Sequence, residues 1–248
     1  MLKEGLKYLV ELGQKDVVIN SQNGGEYTPT KIERIECPRA QAFTVRTLTS
    51  AVDYIKSKAD DLPNEIIVQV VSPERVSIMG PLNQDREREK FLSVEALLPS
   101  VEYGRFIEVE KFNIMMQSAF TDYSCLGVVD GEEIEICYKK ILLQVVGNVR
   151  QEAVGTIGDD GVTQTATIKT GVATVEPIVV PNPVILAPYR TFQEVDQPAS
   201  KFIFRMQDGP KAAIFEADGG AWRNEAMRNI KNFLEEELKE IKGIHILA

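Results

Sequence analysis

The 248-residue chain carries one histidine, His245, near its C-terminus. No Ser-His-Asp or Cys-His pairing of nucleophile and base can be assembled around it unless that tail folds back on the body. The three cysteines, Cys37, Cys125 and Cys137, match no zinc or redox spacing and read as reduced, mostly buried thiols, which suits a cytoplasm. A carboxylate-bound metal is the one catalytic engine the composition allows, because Asp130, Glu132, Glu133, Glu135, Asp159 and Asp160 fall on or near adjacent turns. They show no EF-hand, HxxxH or DxD-plus-His spacing, and acidic turns are the ordinary surface of an acidic protein. The glycine cluster from Gly155 to Gly161 lacks the lysine of a phosphate-binding loop and precedes a strand pattern, so it reads as a turn. No cofactor is called for.

Two segments suit binding better than catalysis. In Asp218-Gly219-Gly220-Ala221-Trp222-Arg223, two glycines precede a helix pattern. Free backbone N–H groups there attract anions, while Trp222 and Arg223 offer stacking and charge. The plainer reading is that Asp218 caps the helix and Trp222 packs. The second segment pairs Tyr189-Arg190-Thr191-Phe192 with Lys201-Phe202-Ile203-Phe204-Arg205, alternating basic and aromatic residues as sheets that stack bases do. Any amphipathic strand also alternates in this way. The candidate ligand or partner contacts are therefore Arg190, Lys201, Arg205, Trp222 and Arg223.

The net charge of −9 and pI near 4.9 repel phosphate backbones in general and leave only local basic patches for nucleic acid. Apolar residues make up 44% and charged residues 26%, an ordinary globular balance. The first residues lack the cationic start and apolar run of a signal peptide, and no apolar stretch approaches the roughly 20 residues of a membrane span. The chain is expected to be soluble and cytoplasmic.

Element patterns support an α+β fold, with three to four helices flanking largely antiparallel strands and a strand-rich C-terminal half. Residues 1–43 read as a helix, from 2 to 12, followed by an extended arm with a strand at 17–19 and an edge strand at 31–36. Residues 44–122 read as a helix capped by Thr47, a strand from Glu65 to Val71 buried on both faces, its hairpin partner, a strand from Phe91 to Leu98, and a helix over 109–120. Residues 123–248 hold a hairpin turning at Asp130-Gly131, a strand at 141–146 and a threonine-rich strand at 162–170. A proline-rich extended connection at 177–198, a hairpin over 201–217 and a last helix from about 218 to 242, ended by Gly243, complete that portion. The boundary near 122 is soft, within what can be one compact body. The proline-rich stretch suits an arm that embraces a neighbouring subunit.

The helix Leu48-Thr49-Ser50-Ala51-Val52-Asp53-Tyr54-Ile55 and the strand pair after it form the first part of a recognisable order. The block Ala187-Pro188-Tyr189-Arg190-Thr191-Phe192-Gln193-Glu194-Val195 and the ending Phe215-Glu216-Ala217-Asp218-Gly219-Gly220-Ala221-Trp222-Arg223 complete it. Over residues 44–236 this order resembles the uncharacterised phage and prophage protein family that includes YfdQ. The resemblance implies a setting, a bacterial host cell and genes often near replication or recombination functions, but no active site. With no catalytic constellation, the leading expectation is a non-enzymatic accessory protein that self-associates. One version binds single-stranded nucleic acid or a nucleotide, another builds a ring or shell, and a carboxylate-metal hydrolase comes last.

Overall fold

Thr47 takes extended backbone angles, and its hydroxyl accepts a hydrogen bond from the Ser50 N–H at 3.2 Å, which starts helix α1 (Leu48–Ser57) where the sequence places it. The computed structural model describes residues 3–5, 19–20, 26–27, 34–35, 41–83, 86–129, 132–151, 157–159, 164–170, 173–180, 182–207 and 211–248. Its fold is α+β and strand-rich, with mostly antiparallel sheets. Of the expected N-terminal helix only residues 3–5, which are helical, are described. The strands β1 (Ile19–Asn20), β2 (Glu26–Tyr27) and β3 (Arg34–Ile35) pair antiparallel in that order.

Two sheets carry the buried cores. The first has five strands: β4 (Phe43–Val45), β5 (Ile66–Ser72), β6 (Arg75–Leu82), β7 (Arg88–Glu95) and β17 (Ile244–Leu247), in the spatial order β17-β5-β6-β7-β4. The β5-β6-β7 meander is antiparallel, and the outer strands β17 and β4 are each parallel to their neighbours. Helices α1 and α4 (Trp222–Leu238) pack on it, burying Leu48, Ala51, Val52 and Ile55 with Ile230, Leu234 and Leu238 against Val68, Val76, Ile78, Leu92 and Val94. β5 is buried on one face only: Ile66, Val68 and Val70 point inward, while Gln69 and Val71 are exposed. The two helices account for this, since the core they form lies on the Val68 side.

The second sheet has four antiparallel strands in the order β14 (Val184–Leu186), β15 (Ser200–Gln207), β16 (Lys211–Glu216) and β8 (Ile107–Glu108). Its core joins Phe202, Phe204, Met206 and Ile214 to Phe112, Met116 and Ala119 of α2 (Val109–Ala119) and to Leu142, Val145 and Val146 of α3 (Tyr138–Gln151). Helix α3 replaces the strand expected at 141–146. A short apolar run fits either periodicity; here Lys139, Leu142 and Val146 share a buried helical stripe, and Lys139 Nζ donates to the Phe120 carbonyl at 2.7 Å. Strands β9 (Cys125–Val129) and β10 (Glu132–Ile136) form the expected hairpin, whose Asp130-Gly131 turn lies outside the described residues. Strands β11 (Ile157–Asp159), β12 (Gln164–Thr170) and β13 (Ala173–Val180) form a separate antiparallel sheet. The proline-rich stretch therefore includes the end of strand β13 and all of β14, and within 187–198 Ala187, Arg190, Thr191 and Phe192 are buried while Gln193 and Asp196 are exposed.

The last helix ends at Leu238, and a turn then leads into β17, so His245 lies in a sheet strand and not in a tail. Gly243 makes this possible: its φ is +83°, a Cβ there would collide with the Asn64 carbonyl oxygen, and its own carbonyl accepts from the Ile66 N–H at 2.9 Å. We expect Gly243→Ala to cost about 1–3 kcal/mol or more from backbone strain alone. Gly147→Ala, in α3 with nothing within 4 Å of a new Cβ, should instead raise stability by up to about 1 kcal/mol. Urea denaturation of both variants measures the contrast.

Candidate nucleic-acid interface

The five residues singled out from the sequence separate into two groups on opposite sides of the four-stranded sheet. β15 alternates strictly, with Ser200, Phe202, Phe204 and Met206 inward and Lys201, Ile203, Arg205 and Gln207 outward. Arg190 and Trp222 gather at the end of the inward row.

Arg190 is 5% exposed. One amino group of its guanidinium donates to Glu216 Oε1 at 3.0 Å, and the other to Ser200 Oγ at 2.7 Å and the Pro198 carbonyl at 3.2 Å. The group lies 4.0 Å from the Trp222 ring centroid and 5.5 Å from that of Phe202. Tyr103 stacks on Phe202 at 5.8 Å. Burial pulls the Arg190 pKa below its usual value, opposed by Tyr103 and Glu216. Burial likewise pushes the Tyr103 phenol up to about 12, against the pull of Arg190 and with the push of Glu216.

The backbone around Arg190 is held as tightly. Gln197 Oε1 accepts from the Arg190 and Thr191 N–H groups, and its amide donates to the Phe192 and Val195 carbonyls. Thr191 Oγ1 donates to the Pro73 carbonyl at 2.6 Å, Asn229 Nδ2 to the Asp196 carbonyl, and the Thr49 N–H to Glu194. Phe192 enters the core of the five-stranded sheet. Arg190 and Trp222 therefore form a buried joint between the sheets. The glycine cluster before α4 is occupied from within: Asp218 accepts from the Gly220 N–H at 3.0 Å and the Trp222 N–H at 3.3 Å. Arg223 is exposed and lies against Trp222, 4.9 Å from the ring.

Lys201 and Arg205 face outward among residues the sequence had not singled out. Register places Phe215 opposite Ile203, Ala213 opposite Arg205 and Lys211 opposite Gln207, and residues directly opposite share a face. Ile185 sits opposite Lys201, and Glu108 opposite Lys211. Phe106, 40% exposed, meets Phe215 edge-on at 6.2 Å. The outer face thus offers Phe106, Phe215 and Ile203 framed by Lys201, Arg205 and Lys211, with Glu108 at one border. Alternation along Lys211-Ala213-Phe215 is visible in the sequence; its juxtaposition with Lys201 and Arg205 depends on register.

The catalytic alternatives gain nothing. Glu133 and Glu135 are exposed on the β9-β10 hairpin, while Asp130 and Asp160 fall outside the described residues. Among the described residues no group of three or more His, Cys, Asp or Glu side chains is placed to hold a metal ion. Cys125 and Cys137 are free and half-buried. Among the described residues no helix is long and apolar enough to cross a membrane. In comparisons with protein-family models, curated proteins and solved structures, nothing matches.

Arg190→Met should cost about 3 kcal/mol, because it removes a buried cation and strands its partners. Arg190→Lys should fall between, since an ammonium cannot reach Glu216, Ser200 and Pro198 together; fluorescence of the single tryptophan follows both unfolding transitions. The raised Tyr103 pKa favours the neutral phenol in the folded state. Its stabilisation is complete below pH 10 and is lost as pH rises through about 12. Urea midpoints at pH 9 and pH 11 should therefore converge in Tyr103→Phe relative to the parent.

Proposed function

We propose that this protein acts by contact and not by catalysis, as a phage or prophage accessory protein of the bacterial cytoplasm that binds single-stranded nucleic acid on the outer face of its four-stranded sheet. The observation that carries this reading is the pairing of exposed Phe106 with half-buried Phe215, bordered by Lys201, Arg205 and Lys211. A sheet backed by two helices on one side, with aromatic rings and cations on the other, suits bases that stack flat while their phosphates meet the cations. A duplex hides its base faces, so the chemistry favours single strands. The net charge of −9 keeps non-specific attraction low, which confines binding to this local patch.

Fluorescence anisotropy with a labelled oligothymidine tests the proposal. Three cations engaging phosphates should give a log-log salt slope of about −2. Phe215→Ala should weaken binding by about 1–3 kcal/mol, and Lys201→Glu with Arg205→Glu should abolish it, each measured on protein that its tryptophan fluorescence shows to be folded. No binding at low salt, or binding indifferent to these substitutions, would sink the proposal.

A further inference from the structure

One carboxylate interrupts the aromatic and cationic outer face of the four-stranded sheet. Glu108 is exposed there, directly opposite half-buried Lys211, which in turn lies opposite Gln207. A carboxylate at this place repels the phosphates that Lys201 and Arg205 attract, and the fold does not account for it. Glu108 holds the cap position of α2 without a side-chain capping hydrogen bond. Among the described residues neither Glu108 nor Lys211 enters an ion pair. Residues opposite each other on paired strands bring their Cβ atoms to about 5 Å, so a carboxylate and an ammonium stand side by side on one face. Ile107 pairs with buried Ala212 and packs against the core. Strand alternation therefore sends its two neighbours, Phe106 and Glu108, to the outer face together, about 7 Å apart along the chain.

We propose that Glu108 and Lys211 read the Watson–Crick edge of a guanine stacked on Phe106. This inference rests on the single-strand reading above and adds the base that the face selects. Guanine presents two adjacent donors, N1–H and the N2 amino group, followed by one acceptor, O6. The Glu108 carboxylate accepts from both donors, and the Lys211 ammonium, which only donates, meets O6. No other base matches the pair. Thymine and uracil place a single N–H between two carbonyls, so one carbonyl is set against the carboxylate. Cytosine and adenine offer one amino group beside a ring nitrogen that repels the second carboxylate oxygen. A single strand leaves this edge free, whereas a duplex spends it on pairing. Lys201 and Arg205 remain for the phosphates, and on oligothymidine, which lacks the matching edge, Lys211 joins them.

Anisotropy titrations of the full chain should compare a labelled oligothymidine with the same strand carrying one central guanine. Guanine should tighten binding about tenfold, and adenine or cytosine at that position should not. Inosine, which lacks the N2 amino group, should lose most of the gain, while a deazaguanine lacking only N7, on the other edge of the base, should keep it. Glu108→Gln should erase the preference and leave oligothymidine bound at least as tightly, because a repelling charge has gone. Equal affinity for the two strands overturns the guanine assignment and leaves the single-strand reading intact. A preference that inosine retains, or one that survives Glu108→Gln, does the same. Failure to bind either strand overturns both.

Discussion

A buried guanidinium is the constraint on which the rest of this structure depends. Arg190 sits where the four-stranded sheet, the connecting segment 187–198 and the first turn of α4 meet, bonded to Glu216, Ser200 and Pro198 and stacked on Trp222. A charge removed from water is tolerated only with this density of partners. Its bonds to Pro198 and Ser200 tie down the segment, whose path brings Thr191 to Pro73 and Phe192 into the neighbouring core.

Joining the sheets at this point has two consequences. α4 begins against the four-stranded sheet at Trp222 and continues across the five-stranded one through Ile230, Leu234 and Leu238, so a single helix is shared by both. The inner side of the four-stranded sheet packs against α2, α3 and the Arg190 joint, while on its outer side Phe106, Lys201 and Ile203 are exposed and Arg205, Lys211 and Phe215 half-buried.

Much of the local structure was legible because single residues carry the signal. Thr47 caps α1 and the apolar spacing of 109–119 makes α2, whereas Ala221 holds the cap position of α4 and Asp218 accepts from the Gly220 and Trp222 N–H groups from further upstream. Residues 141–146 were misread as a strand because an apolar run of six satisfies both periodicities, and burial against α2 decided for the helix. The prolines of 177–198 argued for an extended connection and an arm. Pro188 and Pro198 instead flank a segment whose backbone Gln197 bonds from within.

Of the candidate contact residues, the sequence determined the chemical types, and it determined the alternation that sends Lys201 and Arg205 to one face of β15 and Phe202 to the other. It also determined the scarcity of histidine and of metal-ligand spacing that turns attention from catalysis to contact. Tertiary structure alone decided that Arg190 and Trp222 form an internal joint, that Phe106 and Phe215 join Lys201 and Arg205, and that the C-terminal strand pairs with β5. The physical reason is that burial and strand register are set by segments far apart in the chain. A one-residue change of register would turn Phe215 inward and erase the outer face without altering any local pattern.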